Sequence, residues 1–287
     1  MKIISVLNDI KNIEDLKICD GIILPTIYSI AYEKAFSVVE IKEIVGKYPD
    51  YHFILGLDSI LSEEMLDEVF ELLGNIRDLD LDVLFSDMAI LFHYKSLKKL
   101  NKLIYNASTY LCNYQDISFY AKQNIRVFIS NELSYDDLKK NCELDNVILQ
   151  AYGLYPIYYS KRKVLSLYKE YSSLDYDPYK DYEIKEEKRE EKYKIKEYKD
   201  NSHSVIYNAY KILIFKELEE IKPAYIFINS NDARVLNTYK KGIEEGFNAE
   251  LEVYLKSIDE RVDKSLMYIR PSILNKDEKN WAFITCR

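Results

Sequence analysis

Short apolar runs alternate with amphipathic stretches along most of the chain. Eight of these runs are rich in β-branched and aromatic residues and end at polar or turn residues, which is typical of buried strands. They cover residues 2–7, 21–25, 52–58, 83–87, 102–107, 126–130, 147–151 and 225–229. Because most are followed by a stretch with helical spacing, the pattern predicts a parallel sheet assembled from βα units.

The stretches between the runs carry the spacing and the start signals of helices. In residues 63–73 the apolar side chains recur three and four positions apart, which places them on one helix face. Ser134 is a good N-cap for residues 135–141, whose first turn is acidic. Residues 115–122 and 232–245 have the same character.

Eight strands with intervening helices predict an α/β fold, a (β/α)8 TIM-type barrel that is complete or lacks an element. A doubly wound open sheet is the alternative, because a strand count from one sequence is easily off by one or two. We expect one domain, residues 1–287.

Residues 154–223 are too long for a simple connection to the last strand and are predicted to form an excursion within the barrel domain. Its centre is charged, but each i,i+4 pair beginning from Lys185 to Lys188 is like-charged, which disfavours one continuous helix. From Lys192 onward, apolar and lysine residues alternate. This alternation predicts a strand that pairs with residues 204–207 as a hairpin.

Composition excludes several classes of protein. The 287 residues are 48% hydrophobic and 31% charged, as in ordinary globular proteins. No apolar run approaches the roughly 20 residues that span a bilayer, and no signal peptide is evident, so we expect a cytoplasmic protein without membrane contact. The net charge of -8 argues against sequence-independent binding of nucleic acid.

Polar side chains follow the predicted strands where each one ends. The carboxyl ends of parallel strands converge at one mouth of a barrel, so these side chains are expected to form a ring that binds a peptide or small ligand. Asp58 and Glu132 are the candidate catalytic acid/base pair, with Glu132 expected to be at least half-buried. The candidate ligand-binding residues are Asp87, Ser108, Thr109, Gln150 and Tyr152. Capping of the next helix is the competing role for such residues.

The usual catalytic and metal-binding patterns are missing. The sequence contains none of the zinc-protease, nucleophile-elbow, phosphate-loop or dinucleotide motifs. Of three histidines, His52 begins a strand at the opposite end of the barrel and His203 is predicted to lie in a polar turn. The cysteines are far apart, at Cys19, Cys112, Cys142 and Cys286. We therefore expect neither a metal nor another cofactor.

Two segments carry a family resemblance. Residues 106–140, NASTYLCNYQDISFYAKQNIRVFISNELSYDDLKK, resemble the core of the U32 (collagenase-like) peptidase family. Residues 146–166, NVILQAYGLYPIYYSKRKVLS, resemble the block in which that family has a strand ending in His-Gly and then spaced cysteines. The resemblance implies a barrel-like fold, a peptidase activity, and a shared pocket that includes Ser108, Thr109 and Glu132.

The resemblance also implies an iron–sulfur cluster for some relatives, but not for this chain. Tyr152 stands at the signature histidine position, and Pro156 and Lys163 occupy the first two cysteine positions. The later pair of cysteines would fall between residues 166 and 191, where the sequence has none.

Three hypotheses of function follow. The first is a divergent family member that binds a peptide or small ligand at the barrel mouth and retains hydrolysis. The second is a catalytically silent paralogue that acts as a binding or partner subunit, for example beside a cluster-bearing relative. The third is an accessory to RNA modification, which the net charge of -8 disfavours.

Overall fold

The eight predicted strands form one closed, parallel barrel. A computed structural model of the protein describes residues 1–263 apart from 109, 189, 201 and 260. The first seven barrel strands are β1 (Lys2–Val6), β2 (Gly21–Pro25), β3 (Phe53–Leu57), β4 (Leu81–Phe85), β5 (Leu103–Asn106), β6 (Arg126–Phe128) and β7 (Val147–Gly153). Tyr225–Ile228 is the eighth, and it pairs in parallel with both β1 and β7. This double pairing closes the sheet, so the (β/α)8 prediction is confirmed and the open-sheet alternative is wrong.

Helices follow most of the barrel strands. They are α1 (Val38–Lys47), α2 (Glu63–Asn75), α3 (Met88–Ser96), α4 (Tyr114–Ala121), α5 (Tyr135–Asn141), α6 (Val164–Ser172), α7 (Leu218–Ile221), α8 (Ala233–Glu245) and α9 (Ala249–Ile258). Polar residues cap several of them. Ser134 accepts from Asp137 N at the start of α5, as predicted, and Ser37 and Glu40 form a reciprocal capping box at α1. A 3₁₀ helix, Ile10–Ile18, takes the place of a helix after β1. None of the described helices is long and apolar enough to cross a membrane.

Two apolar layers hold the barrel together. The larger layer lies between the strands and the surrounding helices. The smaller layer fills the barrel interior with the side chains of Ile4, Val6, Ile23, Ile54, Leu84, Ile104 and Ile148. The barrel is therefore a packed core, and ligand access is restricted to its two ends.

A charged cluster lies at the amino end of the barrel. Asp82 on β4 is almost fully buried and accepts hydrogen bonds from His52 Nε2 and Arg126 Nη2, both at 2.5 Å. Lys102 Nζ lies 3.7 Å from the second oxygen. His52 is thus at the end opposite the carboxyl-end mouth, as its position before β3 predicts.

The excursion is a four-stranded antiparallel sheet. Its strands are β8 (Pro156–Ser160), β9 (Tyr182–Lys185), β10 (Lys192–Tyr198) and β11 (His203–Tyr207), in the order β8-β11-β10-β9. The predicted hairpin is confirmed, because β10 and β11 pair with Tyr198 opposite His203. The excursion sheet also includes β8 and β9, which are not among the predicted strands.

The chain returns from the excursion through a short strand against the barrel. β12 (Lys211–Leu213) pairs antiparallel with β7, the last barrel strand Tyr225–Ile228 is β13, and β14 (Val262–Asp263) pairs with β12. The division into one domain, residues 1–287, with an excursion at 154–223 stays a prediction.

Candidate functional site

Asp58 is the buried acid of the carboxyl-end mouth. It directly follows β3, and its side chain is only 8% exposed. Its Oδ1 accepts from the backbone N–H of Ile30 at 3.2 Å, and its Oδ2 accepts from Asn106 Nδ2 at 2.8 Å. Residues after three different strands therefore converge on one carboxylate, as the parallel barrel requires.

Ser86 links the same strand ends through its hydroxyl. Ser86 Oγ lies 2.8 Å from the carbonyl of Asp58 and 2.5 Å from the carbonyl of Asn106. Asn106 in turn accepts from Ser108 N at 3.1 Å. This chain of contacts holds the Asn106 amide in place, so that its Nδ2 faces Asp58.

Burial controls the acidity of Asp58. Loss of solvent raises the pKa of this carboxyl above its ordinary value, and the hydrogen bonds from Asn106 and Ile30 offset only part of the effect. A carboxyl whose pKa is raised by burial at a barrel mouth can act as a proton donor or bind a ligand amine.

The excursion sheet is attached to the loop after β3, which contains Asp58, and to the loop after β2, which contacts Asp58. Tyr159 Oη on β8 accepts from Ile60 N at 3.1 Å, and His203 Nε2 on β11 lies 2.9 Å from the carbonyl of Ile30. His203 is fully buried and stacks on Tyr198 with ring centroids 4.6 Å apart, so its predicted position in a polar turn is wrong. The signal for Tyr159 was the β-branched and aromatic run of β8, which was not interpreted as a strand.

Gln150 lies at the mouth, but its side chain supports the backbone of the turn that follows β7. Its Oε1 lies 3.3 Å from Asn131 Nδ2, and its Nε2 donates to the carbonyl of Leu154 at 3.2 Å. Asn229 Nδ2 donates to the same carbonyl at 2.8 Å. Gln150 is therefore near the predicted site, but its contacts fix the turn that follows β7.

Glu132 is exposed, so the prediction that it is at least half-buried is wrong. β6 ends at Phe128, and the chain then turns at Asn131 and Glu132. Ser130 Oγ accepts from Glu132 N at 3.1 Å within this turn, while the next residue, Leu133, enters the core. The turn places the apolar neighbour inside and the carboxylate outside.

Tyr152 is buried away from the mouth. Alternation from Ile148 and Gln150 would direct it into the barrel, but the β7–β13 register skips Ala151 and so contains a bulge. Beyond the bulge Tyr152 packs in the outer layer against Tyr239, with centroids 6.2 Å apart. Burial raises the pKa of its hydroxyl. Its predicted place at the mouth is wrong, although Gly153 does end β7 as predicted.

Of the remaining predicted residues, Asp87 caps a helix and Ser108 lies on the surface. Asp87 is the N-cap of α3, and its Oδ1 accepts from Ala89 N at 2.8 Å. It therefore caps a helix, which is the alternative to the predicted ligand-binding role. Ser108 is exposed and adopts a φ of 57°. Thr109 lies outside the described residues.

The cluster-binding positions do not fit an iron–sulfur cluster. Pro156 begins β8 and Lys163 precedes α6, and neither side chain offers a thiolate. Within the described part of the chain, no group of three or more histidine, cysteine or acidic side chains could hold a metal ion. We therefore derive no chemistry through such a group.

Comparisons with known proteins agree with the barrel fold. The model of the family named Peptidase family U32 matches residues 29–265, which is most of the chain. A solved structure, that of the U32 peptidase Mk0906, superposes with a TM-score of 0.51 at 12% sequence identity, covering 80% of this chain and 92% of that chain. At this identity the likeness supports the fold alone. A search of the curated proteins finds no match. The family match shows that the chain belongs to peptidase family U32.

Proposed function

We propose that this protein binds a peptide or small ligand at the carboxyl-end mouth of the barrel, with Asp58 as the acidic group that meets the ligand. The observation that supports this proposal is the buried carboxyl of Asp58, held by Ile30 in the loop after β2 and by Asn106 at the end of β5. An exposed carboxylate would be interchangeable with others on the surface. A buried one with a raised pKa is costly to retain, which is typical of functional sites.

The geometry of the mouth supports ligand binding more directly than it supports hydrolysis. Glu132, the predicted partner of Asp58 in acid/base chemistry, is exposed. Ser86 is close to Asp58, but its hydroxyl is directed at two backbone carbonyls. Binding therefore has direct support from the geometry, while hydrolysis depends on the family resemblance.

The test uses peptides from digested gelatin, chosen because the family is described as collagenase-like. Saturable binding is measured by calorimetry, and new amino termini are counted over time to detect hydrolysis. We expect Asp58→Asn to weaken binding by about tenfold or more, because the charge is removed while the shape is kept. Asp80→Asn is the matched control, since Asp80 is exposed beside Lys102 at the amino end of the barrel.

Two results would contradict the proposal. Equal affinity of the wild type and Asp58→Asn would show that Asp58 does not meet the ligand. An equal loss in Asp80→Asn would show a general effect of charge. Release of amino termini by the wild type, abolished in Asp58→Asn, would add hydrolysis to the function.

A second candidate function is that of a partner subunit beside another U32 protein. The observation that favours it is the exposed apolar surface of α6, where Leu167 and Tyr168 are more than half exposed and Tyr171 is 88% exposed. Co-expression with a cysteine-bearing relative, followed by size-exclusion chromatography, tests this role. We expect a complex that Tyr171→Ser weakens, and separate elution of the two proteins would exclude it.

A further inference from the structure

A cavity lies beside the barrel mouth, between α1, α2, the loop that follows β2 and the turn that joins β10 to β11. Its volume is about 640 Å³. We call it the acidic groove. Its lining includes the aromatic residues Tyr28, Tyr32 and Phe36 and the acidic residues Glu33, Glu40, Glu68, Glu71 and Asp200. None of the predicted site residues that the structure describes lines it.

The negative charge of the acidic groove is only partly balanced. Glu40 pairs with Lys34 at 2.8 Å, and Glu33 pairs with Lys194 and Lys196. Among the residues that the structure describes, no cation pairs with Glu68, Glu71 or Asp200. Two of these carboxylates lie one helical turn apart on α2, so they face the groove together.

Aromatic side chains lie beside this charge. Phe36 and Tyr28 are buried, and Tyr28 Oη donates to Glu68 at 2.6 Å. Tyr32 Oη is buried and has no hydrogen-bond partner in the described part of the chain. A ligand that offers both hydrogen-bond donors and an apolar stem would match this mixed polar and apolar lining.

The protein already contains one cation in this setting. Lys34 Nζ lies 4.9 Å from the centroid of the Phe36 ring while it contacts Glu40. An ammonium between a ring face and a carboxylate is thus compatible with the wall of the groove. The unbalanced end, near Glu68 and Glu71, offers carboxylates without such a cation.

We propose that the acidic groove binds an alkyl ammonium ligand, either a free polyamine or the lysine side chains of a peptide. The carboxylates attract the ammonium groups, and the rings contact the methylene stem between them. This combination distinguishes such a ligand from a hydrated metal ion, which gains little from an aromatic wall. The groove shares the loop after β2 with the mouth, but Asp58 does not line it, so this proposal does not depend on the function proposed for Asp58.

The experiment measures the binding of spermidine and of trilysine by calorimetry at low ionic strength, with Mg²⁺ as a third ligand. We expect saturable binding of one alkyl ammonium ligand that is at least about tenfold tighter than binding of Mg²⁺. The double variant Glu68→Gln, Glu71→Gln should weaken it by about tenfold, because Gln keeps an acceptor for Tyr28 Oη but removes both charges. Tighter binding of spermidine assigns the groove to free polyamines, and tighter binding of trilysine assigns it to peptides.

The matched control is Glu244→Gln, Glu245→Gln, which removes the same charge from exposed positions on α8. It should leave the affinity unchanged. Failure of both spermidine and trilysine to saturate, an Mg²⁺ affinity equal to theirs, or an equal loss in the control variant would overturn the proposal. Melting curves of both variants confirm that each is folded before binding is compared.

Discussion

Two aspartates are buried at opposite ends of the barrel, and their surroundings shift their pKa values in opposite directions. Asp82 at the amino end is buried too, which alone would raise its pKa, but the hydrogen bond from His52 and the charge of Arg126 outweigh burial and lower it. Among the described residues no cation pairs with Asp58 at the mouth, so burial dominates and its pKa rises. The same residue type therefore stabilises the fold at one end and is costly at the other.

Replacing Asp82 with Asn should destabilise the protein at neutral pH. Arg126 would lose its buried partner, at a cost of about 2–4 kcal/mol, since Arg126 keeps some solvent contact. A lowered folded pKa contributes stability above the ordinary aspartate value of about 3.9, which is lost as the pH falls through the folded pKa. Urea unfolding at several pH values should show the gap between wild type and Asp82→Asn closing below about pH 4. A gap that stays constant on acidification would contradict this assignment.

Asp58→Asn should show the reverse pH dependence. A raised folded pKa contributes stability that is present below the ordinary value of about 3.9 and is lost as the pH rises through the folded pKa. Relative to the wild type, the variant should therefore gain stability over the interval in which the pH rises above about 4. The measurement is again urea unfolding. A variant that loses relative stability over this interval would show that the hydrogen bonds of Asp58 outweigh its burial.

Gly153 ends β7 at a backbone conformation that favours glycine. Its φ is +107°, and an added Cβ would lie 2.5 Å from the carbonyl oxygen of Asn229. Gly153→Ala should lower the unfolding free energy by about 2–4 kcal/mol, because the conformation and the contact are both unfavourable. Gly74→Ala on α2, where nothing lies within 4 Å of the new Cβ, should instead raise it by up to about 1 kcal/mol. Equal effects of the two substitutions in urea unfolding would refute this account of Gly153.

At the scale of elements, one carboxylate joins the excursion sheet to its helix. Glu197 on β10 is 1% exposed, and its Oε2 accepts from Leu165 N at 2.9 Å and from Ser166 N at 3.0 Å. Its other oxygen accepts from Ser166 Oγ. Since Lys163 offers no side-chain cap, a residue from a distant strand serves as the anionic partner of the α6 amino terminus.

Glu197→Ala should loosen α6. Its first N–H groups would lose their acceptor, with a cost of about 1–3 kcal/mol to the excursion. Amide hydrogen exchange at Leu165 and Ser166 reports this directly, and we expect faster exchange there than in the wild type. Glu187→Ala, at an exposed position beside β9, is the control and should change nothing at these amides. Unchanged protection in Glu197→Ala would show that α6 is held by other contacts.

For the whole molecule, burial predicts an order of local stability. Every residue of β3 is buried between two paired neighbours, whereas β9 lies at the edge of the excursion sheet and is largely exposed. Native-state hydrogen exchange should find the slowest amides in β3 and the fastest strand amides in β9, with β10 and β11 between them. Equal protection of β9 and β3 would mean that the excursion and the barrel open only together.

Local pattern was sufficient where the physical cause is local. The alternation of apolar runs and amphipathic stretches predicted all eight barrel strands, since burial on both faces requires apolar residues at successive positions. The Ser134 cap and the β10–β11 hairpin were predictable for the same reason: their hydrogen bonds join residues close in sequence. The position of Asp58 at the mouth followed from strand polarity alone, which any parallel barrel imposes.

The rest was decided by contacts between distant residues. Closure of the barrel required β13 to pair with both β1 and β7. The residues of a strand do not by themselves specify which strands will lie beside it. The bulge at Ala151 reversed the direction of Tyr152, and the turn after β6 exposed Glu132, because a one-residue shift exchanges inside and outside. The partners of Asp58 and Glu197, at separations of 28 to 48 and 31 to 32 residues, also exist only in the folded chain. The sequence by itself determined which segments are strands and which end of each is polar, whereas tertiary packing decided which polar side chains are buried.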